Sequence, residues 1–111
     1  MKLILRSMLL LTLTTPISVL MAHDDHGVIS EDAAVQIANK TVKQMTFKDM
    51  GFQVGQLDSG WKSVSIENID VVDSKDGFYV VSVTNKSAQE MVYLKIGMKG
   101  NVIEARGTND F

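Results

Sequence analysis

"DSKDGFYVVSVTNKSAQEMVYLKIG", residues 73–97, decides how this chain folds. Its two runs, FYVVSVTN and EMVYLKIG, are rich in β-branched and aromatic residues and alternate with a period of two, as a strand's side chains do. Tyr79, Val81 and Val83 share one face of the first run, and Val92, Leu94 and Ile96 share one face of the second. Asp76-Gly77 is the strongest hairpin signal in the chain, and NKSAQ supplies the next turn. Upstream, SVSIENIDVV alternates through Val64 and Ile66 and then changes phase to Ile69 and Val71, which predicts a bulge near Asn68. Downstream, KGN turns the chain into VIEAR, with Ile103 and Ala105 together on one face. Four successive strands with short connections predict an antiparallel meander.

Towards the N-terminus the period lengthens to that of a helix. Ser30 is placed as an N-cap, with Glu31 and Asp32 in the first turn, where the helix dipole favours negative charge. Ala34, Ile37, Ala38, Thr41, Val42 and Met45 trace one apolar stripe, with Val35 the discordant position. The segment TFKDMGFQVGQLDSGW is punctuated by Gly51, Gly55 and Gly60 and reads as a frayed helix end and a loop. Within it, LDSGW predicts one helical turn that brings Leu57 and Trp61 onto a common face, with Trp61 closing the core. The expected fold class is α+β: one amphipathic helix packed on a four-stranded antiparallel β-meander.

The sheet face away from the helix carries Ser82, Thr84, Lys95, Glu104 and Arg106. Phe78, Val80, Met91 and Tyr93 stand among them and form the candidate interaction surface. The alternatives are ordinary scattered surface apolarity, or a meander curled enough to bury part of both faces, which would make the same residues a second core.

The chain opens with MKLILRSMLLLTLTTPISVLMA, which has the parts of a secretory signal peptide. Lys2 and Arg6 give the charge, Met8 to Leu13 the apolar centre, and Pro16 to Ala22 the exit. The apolar run, broken by Thr12, Thr14, Thr15 and Pro16, is shorter than the roughly 20 residues that span a bilayer, so no stable membrane span is expected after cleavage. Cleavage after Ala22 divides the chain into a signal peptide (1–22), a polar histidine-containing tail (23–29) and a folded domain (30–111). It removes Lys2 and Arg6 and leaves 13 acidic against nine basic residues, a formal charge of −4. With no basic patch to neutralise phosphates, nucleic acid is not an expected partner. The chain has no cysteine, hence no disulfide framework and no thiol chemistry. A short signal ahead of a cysteine-free mature part points to the periplasm.

Both histidines lie in MAHDDHGVISEDAA, residues 21–34. Cleavage after Ala22 would give His23 a free α-amine beside its imidazole, a pair able to chelate one metal ion. His26 could add a further nitrogen, and Asp24 and Asp25 could add oxygen. Nitrogen-rich coordination suits Cu(II) first, with Zn(II) or Ni(II) behind it. The alternative is a hydrophilic tail that keeps the cleavage junction accessible and holds no ion. Elsewhere the sequence has no Gly-x-Ser-x-Gly elbow, no phosphate-binding glycine loop and no His-Glu-x-x-His helix, and a nucleophilic triad lacks its base. No catalytic residue is assigned and the chain reads as a non-enzyme.

ISEDAAVQIA, followed by strands ending in VYLKIGMKGNVIEA, is similar to the PepSY pattern. More narrowly, AHDDHG, ISEDAA, LDSGW, FYVVSVTN and YLKIGMKGNVIEARGTN resemble uncharacterised small periplasmic proteins of Gram-negative bacteria that carry a histidine-rich tail after the signal peptide, although here the tail holds only His23 and His26. The resemblance implies an exported α+β module of a type that inhibits, chaperones or binds other exported proteins. Its expected partner is another exported or periplasmic protein. It implies neither a reaction nor an oligomeric state.

Overall fold

The computed structural model describes residues 27–111. The helical stripe forms α1 (Glu31–Met45), and its start is set by chemistry at Ser30, whose hydroxyl accepts from the Ala33 amide at 3.1 Å. Glu31 and Asp32 lie in the first turn and Lys43 in the last. Ala34, Ala38, Thr41, Val42 and Met45 are buried, and Ile37 and the discordant Val35 pack partly against the same core.

Four strands follow: β1 (Ile69–Lys75), β2 (Phe78–Asn85), β3 (Glu90–Gly97) and β4 (Val102–Arg106). They pair antiparallel in the order β1-β2-β3-β4, so the meander and the α+β class both hold. α1 lies across one face, its small Ala34 and Ala38 letting the backbone come close to the sheet. Tyr79, Val81, Val83, Val92, Leu94, Ile96 and Ala105 project into the core from this inner face.

The connections follow from a few local bonds. β1 and β2 join through Asp76 and Gly77, and only Gly77 takes a positive φ, of 89°. Between β3 and β4, the Gly97 amide donates to the Asn101 carbonyl at 2.8 Å, and a Cβ at Gly97 would overlap the Asn101 side chain. After α1 the chain loops back, with the Leu57 amide on the Met45 carbonyl at 2.9 Å. LDSGW forms a 3-10 turn, Ser59–Ser63, capped by Asp58, and sends Leu57 and Trp61 into the core, where Trp61 is 2 % exposed.

Two expectations need correction, both where a strand departs from strict alternation. The phase change after Ile66 is not a bulge near Asn68. It is a second 3-10 turn, Ile66–Asn68, in which Ser65 caps the Glu67 amide, and the strand begins only at Ile69. The bulge of β1 falls later, between Val71 and Asp73, and leaves Val72 exposed. In β4 a register shift pairs Val102, not Ile103, with Ile96. Val102 therefore packs on the core and Ile103 is 45 % exposed. Bulges are set by the neighbouring strand, which a local alternation pattern does not contain.

The sheet edges are treated differently. The loop before the first 3-10 turn lies against β4, with the Val54 amide on the Ala105 carbonyl at 3.2 Å and the Gln53 amide on Glu104 Oε1 at 2.8 Å. β1 is the other edge, and among the described residues no strand pairs with its outer side. No helix in the described region is long and apolar enough to cross a membrane.

Candidate functional site

The outer face of the sheet is built in cross-strand rows. Thr84 of β2 stands opposite Met91 of β3. The next row runs Asp70, Ser82, Tyr93 and Arg106 across all four strands, and the one after it runs Asp73, Val80, Lys95 and Glu104. Lys75, Phe78 and Gly97 close the face at its hairpin end. The antiparallel register thus brings Phe78, Val80, Met91 and Tyr93 onto one surface together.

These four residues are not equally accessible. Met91 is 41 % exposed, and the Tyr93 hydroxyl lies 3.8 Å from its sulfur. Phe78 is half-buried beneath Lys95, whose ammonium sits 4.5 Å from the ring centroid. Val80 is 0 % exposed, although it belongs to the outer face and stands outside the helix-side cluster. Its neighbour Ser82 is buried too, its hydroxyl reaching the Asp70 carbonyl at 3.5 Å. The accessible part of the surface is therefore centred on Met91 and Tyr93.

Charged groups frame it. Glu104 accepts from the Gln53 amide, 2.8 Å away, and from its neighbour Ala105, and these bonds hold its carboxyl below the ordinary glutamate range. Arg106 Nη1 donates to Asp110 Oδ1 at 3.0 Å and to the Asp110 carbonyl at 3.2 Å, and its guanidinium lies 5.0 Å from the Phe111 ring centroid. That hydrogen bond from Arg106 holds the Asp110 carboxyl below its ordinary value. From the opposite edge, Lys75 Nζ donates to the Phe111 backbone oxygen at 3.2 Å. Sequence reasoning put Arg106 on this face but missed Asp110 and Phe111, because a short polar segment after the last strand carries no periodicity to place it.

His23, Asp24, Asp25 and His26 lie outside the described residues, as does the signal segment. Gly27, the first described residue, has a φ of 85°. Ile29 donates its amide to the Met98 carbonyl at 2.8 Å and accepts the Tyr79 hydroxyl at 2.9 Å, which fixes the chain beside the β3–β4 turn just before α1. Among residues 27–111, no group of three or more His, Cys, Asp or Glu is placed to hold a metal ion.

Comparison with known proteins adds a family and no activity. Neither the curated proteins nor the solved structures contain a significant match. A family model of unknown function matches residues 1–110, nearly the whole sequence, and the chain belongs to that family, DUF6488.

Proposed function

We propose that this chain is a small exported, periplasmic and non-enzymatic module, PepSY-like in kind, that binds another exported protein through the outer face of its sheet. The carrying observation is the pairing of Met91 and Tyr93 on that face, one 41 % exposed and the other half-buried beside it. Methionine is unbranched and adapts to a partner's shape, and tyrosine joins an apolar body to a polar tip, which is why both are enriched at interfaces. The PepSY-like reading draws support from element order: an acid-started helix precedes the antiparallel strands, and a glycine turn leads from β3 into β4. Export rests on the signal-like opening segment.

The test is photo-crosslinking in exporting cells from a probe residue placed at Met91, with Lys48, an exposed residue of the loop after α1, as the control position. The expected result is a discrete adduct from position 91 that position 48 does not give and that Tyr93→Glu removes. Identical adducts from both positions would defeat the proposal. Fractionation and intact-mass measurement check the compartment and the cleavage after Ala22.

A second reading, metal binding by the tail, rests on the sequence around His23 and His26. Its test is Cu(II) titration of the mature chain and of His23→Ala, followed by visible absorbance. Superimposable curves would remove His23 as a ligand. Because its ligands must be deprotonated, binding should weaken as pH falls towards the imidazole value of about 6.5.

A further inference from the structure

Val80 poses the question. It faces away from the helix yet is fully buried, so whatever covers it must come from the outer side. Beside its row partner Lys95, the segment after β4 is placed to do so. Arg106 sits in the Ser82–Tyr93 row on one edge strand, and Lys75 sits in the Phe78 row on the other. Edge strands of a four-stranded sheet are about 14 Å apart at roughly 4.8 Å per strand, so a residue tied to both has to lie between them. Phe111 is tied to both, by its ring to Arg106 and by its backbone oxygen to Lys75. A diagonal from the first row to the second crosses the intervening row, that of Val80 and Lys95.

Residues 107–111 therefore act as a strap. Its anchors are a carboxylate on Arg106, an aromatic ring placed directly after it in sequence, and a backbone oxygen on Lys75. One donor of the receptor stays unused: Arg106 Nε is buried and has no hydrogen-bond partner. A buried donor left unpaired next to an occupied one is unsatisfied, and an incoming acceptor that reached it would relieve that cost. Met91 is also left uncovered, so the strap fills only part of the face.

We infer that the outer face is a docking groove for an extended peptide segment of an exported partner in which a carboxylate residue directly precedes an aromatic one, and that residues 107–111 occupy this groove in the free protein as a built-in competitor. The inference rests on the interaction reading above and names its partner chemistry and its control. A segment longer than the strap would reach Tyr93 and Met91 as well as Arg106, so it gains contacts that the strap does not make. The strap in turn scales the apparent partner affinity down to the fraction of time the groove is open. With an open population of about 1–10 %, its removal should tighten binding by about 10- to 100-fold.

The experiment is a two-dimensional NMR titration with a synthetic peptide of sequence Gly-Thr-Asn-Asp-Phe, which is residues 107–111. It is added to the full chain, to the chain lacking residues 107–111, and to that deletion carrying Arg106→Gln. The expected result is binding to the deleted chain at about 10–100 μM peptide, the millimolar effective concentration of a short tether divided by the closed-to-open ratio above. The Val80, Lys95 and Arg106 amides should move, the intact chain should respond at least about tenfold more weakly, and Arg106→Gln should abolish the response. If the deletion unfolds the protein, Phe111→Ala takes its place in the same titration. A folded, strap-free chain whose Val80 amide ignores the peptide overturns the inference. So does an intact chain that is dimeric and becomes monomeric on losing residues 107–111, because the strap would then belong to a second copy. A crosslinked partner at Met91 with a silent titration would discard the strap proposal and keep the interaction reading. A positive titration with no crosslinked partner would sustain the groove and its built-in occupant and count against the partner.

Discussion

The two faces of the sheet are closed by different physics. On the inner face, α1 and Trp61 bury a continuous apolar cluster in which Leu94 and Ile96 are 0 % exposed. On the outer face Val80 is buried, and the short segment after β4 is held by an ion pair, one ring–cation contact and a lysine-to-backbone bond. Apolar burial contributes about 25 cal/mol per Å² removed from water, whereas an exposed ion pair contributes about 0–1 kcal/mol. The inner closure is thus the stable one and the outer closure the reversible one. A fold this small keeps its stability on one side and leaves the other side free to exchange what covers it.

The sharpest way to break that contrast is a pair of substitutions on the two faces of β3. Leu94→Ala should cost about 2–5 kcal/mol in chemical denaturation. Met91→Ala, on the opposite face and 41 % exposed, should stay within about 0.5 kcal/mol. Comparable losses would mean that the two faces are equivalent. Next in size comes Val80→Ala, expected to cost about 1–2.5 kcal/mol from lost methyl burial plus a small cavity. No loss at all would show that the strap fails to seal Val80 from water.

A smaller effect depends on pH. Two backbone amides lower the Glu104 carboxyl in the folded state, so its stabilising contribution is complete above the ordinary glutamate value of 4.5 and disappears as pH falls through the lowered folded value. Denaturation midpoints of the wild type should therefore drop towards those of Glu104→Gln in acid and separate from them near neutrality. A separation that does not change with pH would detach Glu104 from the loop contact at Gln53. The smallest effect is expected at Asp110, which is exposed and ion-paired with Arg106. Asp110→Asn should leave the denaturation midpoint unmoved while shifting the Phe111 and Arg106 amide signals. A clear loss of global stability would make the strap part of the core structure and erase the contrast between the faces.

The site was legible to different depths. Period-two alternation correctly put Phe78, Val80, Met91 and Tyr93 on one surface, because side-chain direction along a strand is a local property. It could not tell that Val80 is sealed and Met91 open, because burial on a sheet face depends on what neighbouring strands and segments place over each position. Ile103 was misplaced for a related reason: the bulge that turns it outward is a property of how β4 pairs with β3.

By itself the sequence determined the helix and its cap, the strand order, the turn at Asp76-Gly77, the core role of Trp61, and the charge and cysteine content. Each of these depends on residues close together in the chain or on simple counts. The tertiary structure alone decided the bulge positions, the cover over the β4 edge, the burial of Val80 and the hold of Arg106 and Lys75 on Phe111. Those features join groups from separate elements, and their energies exist only once the strands have set the distances between them.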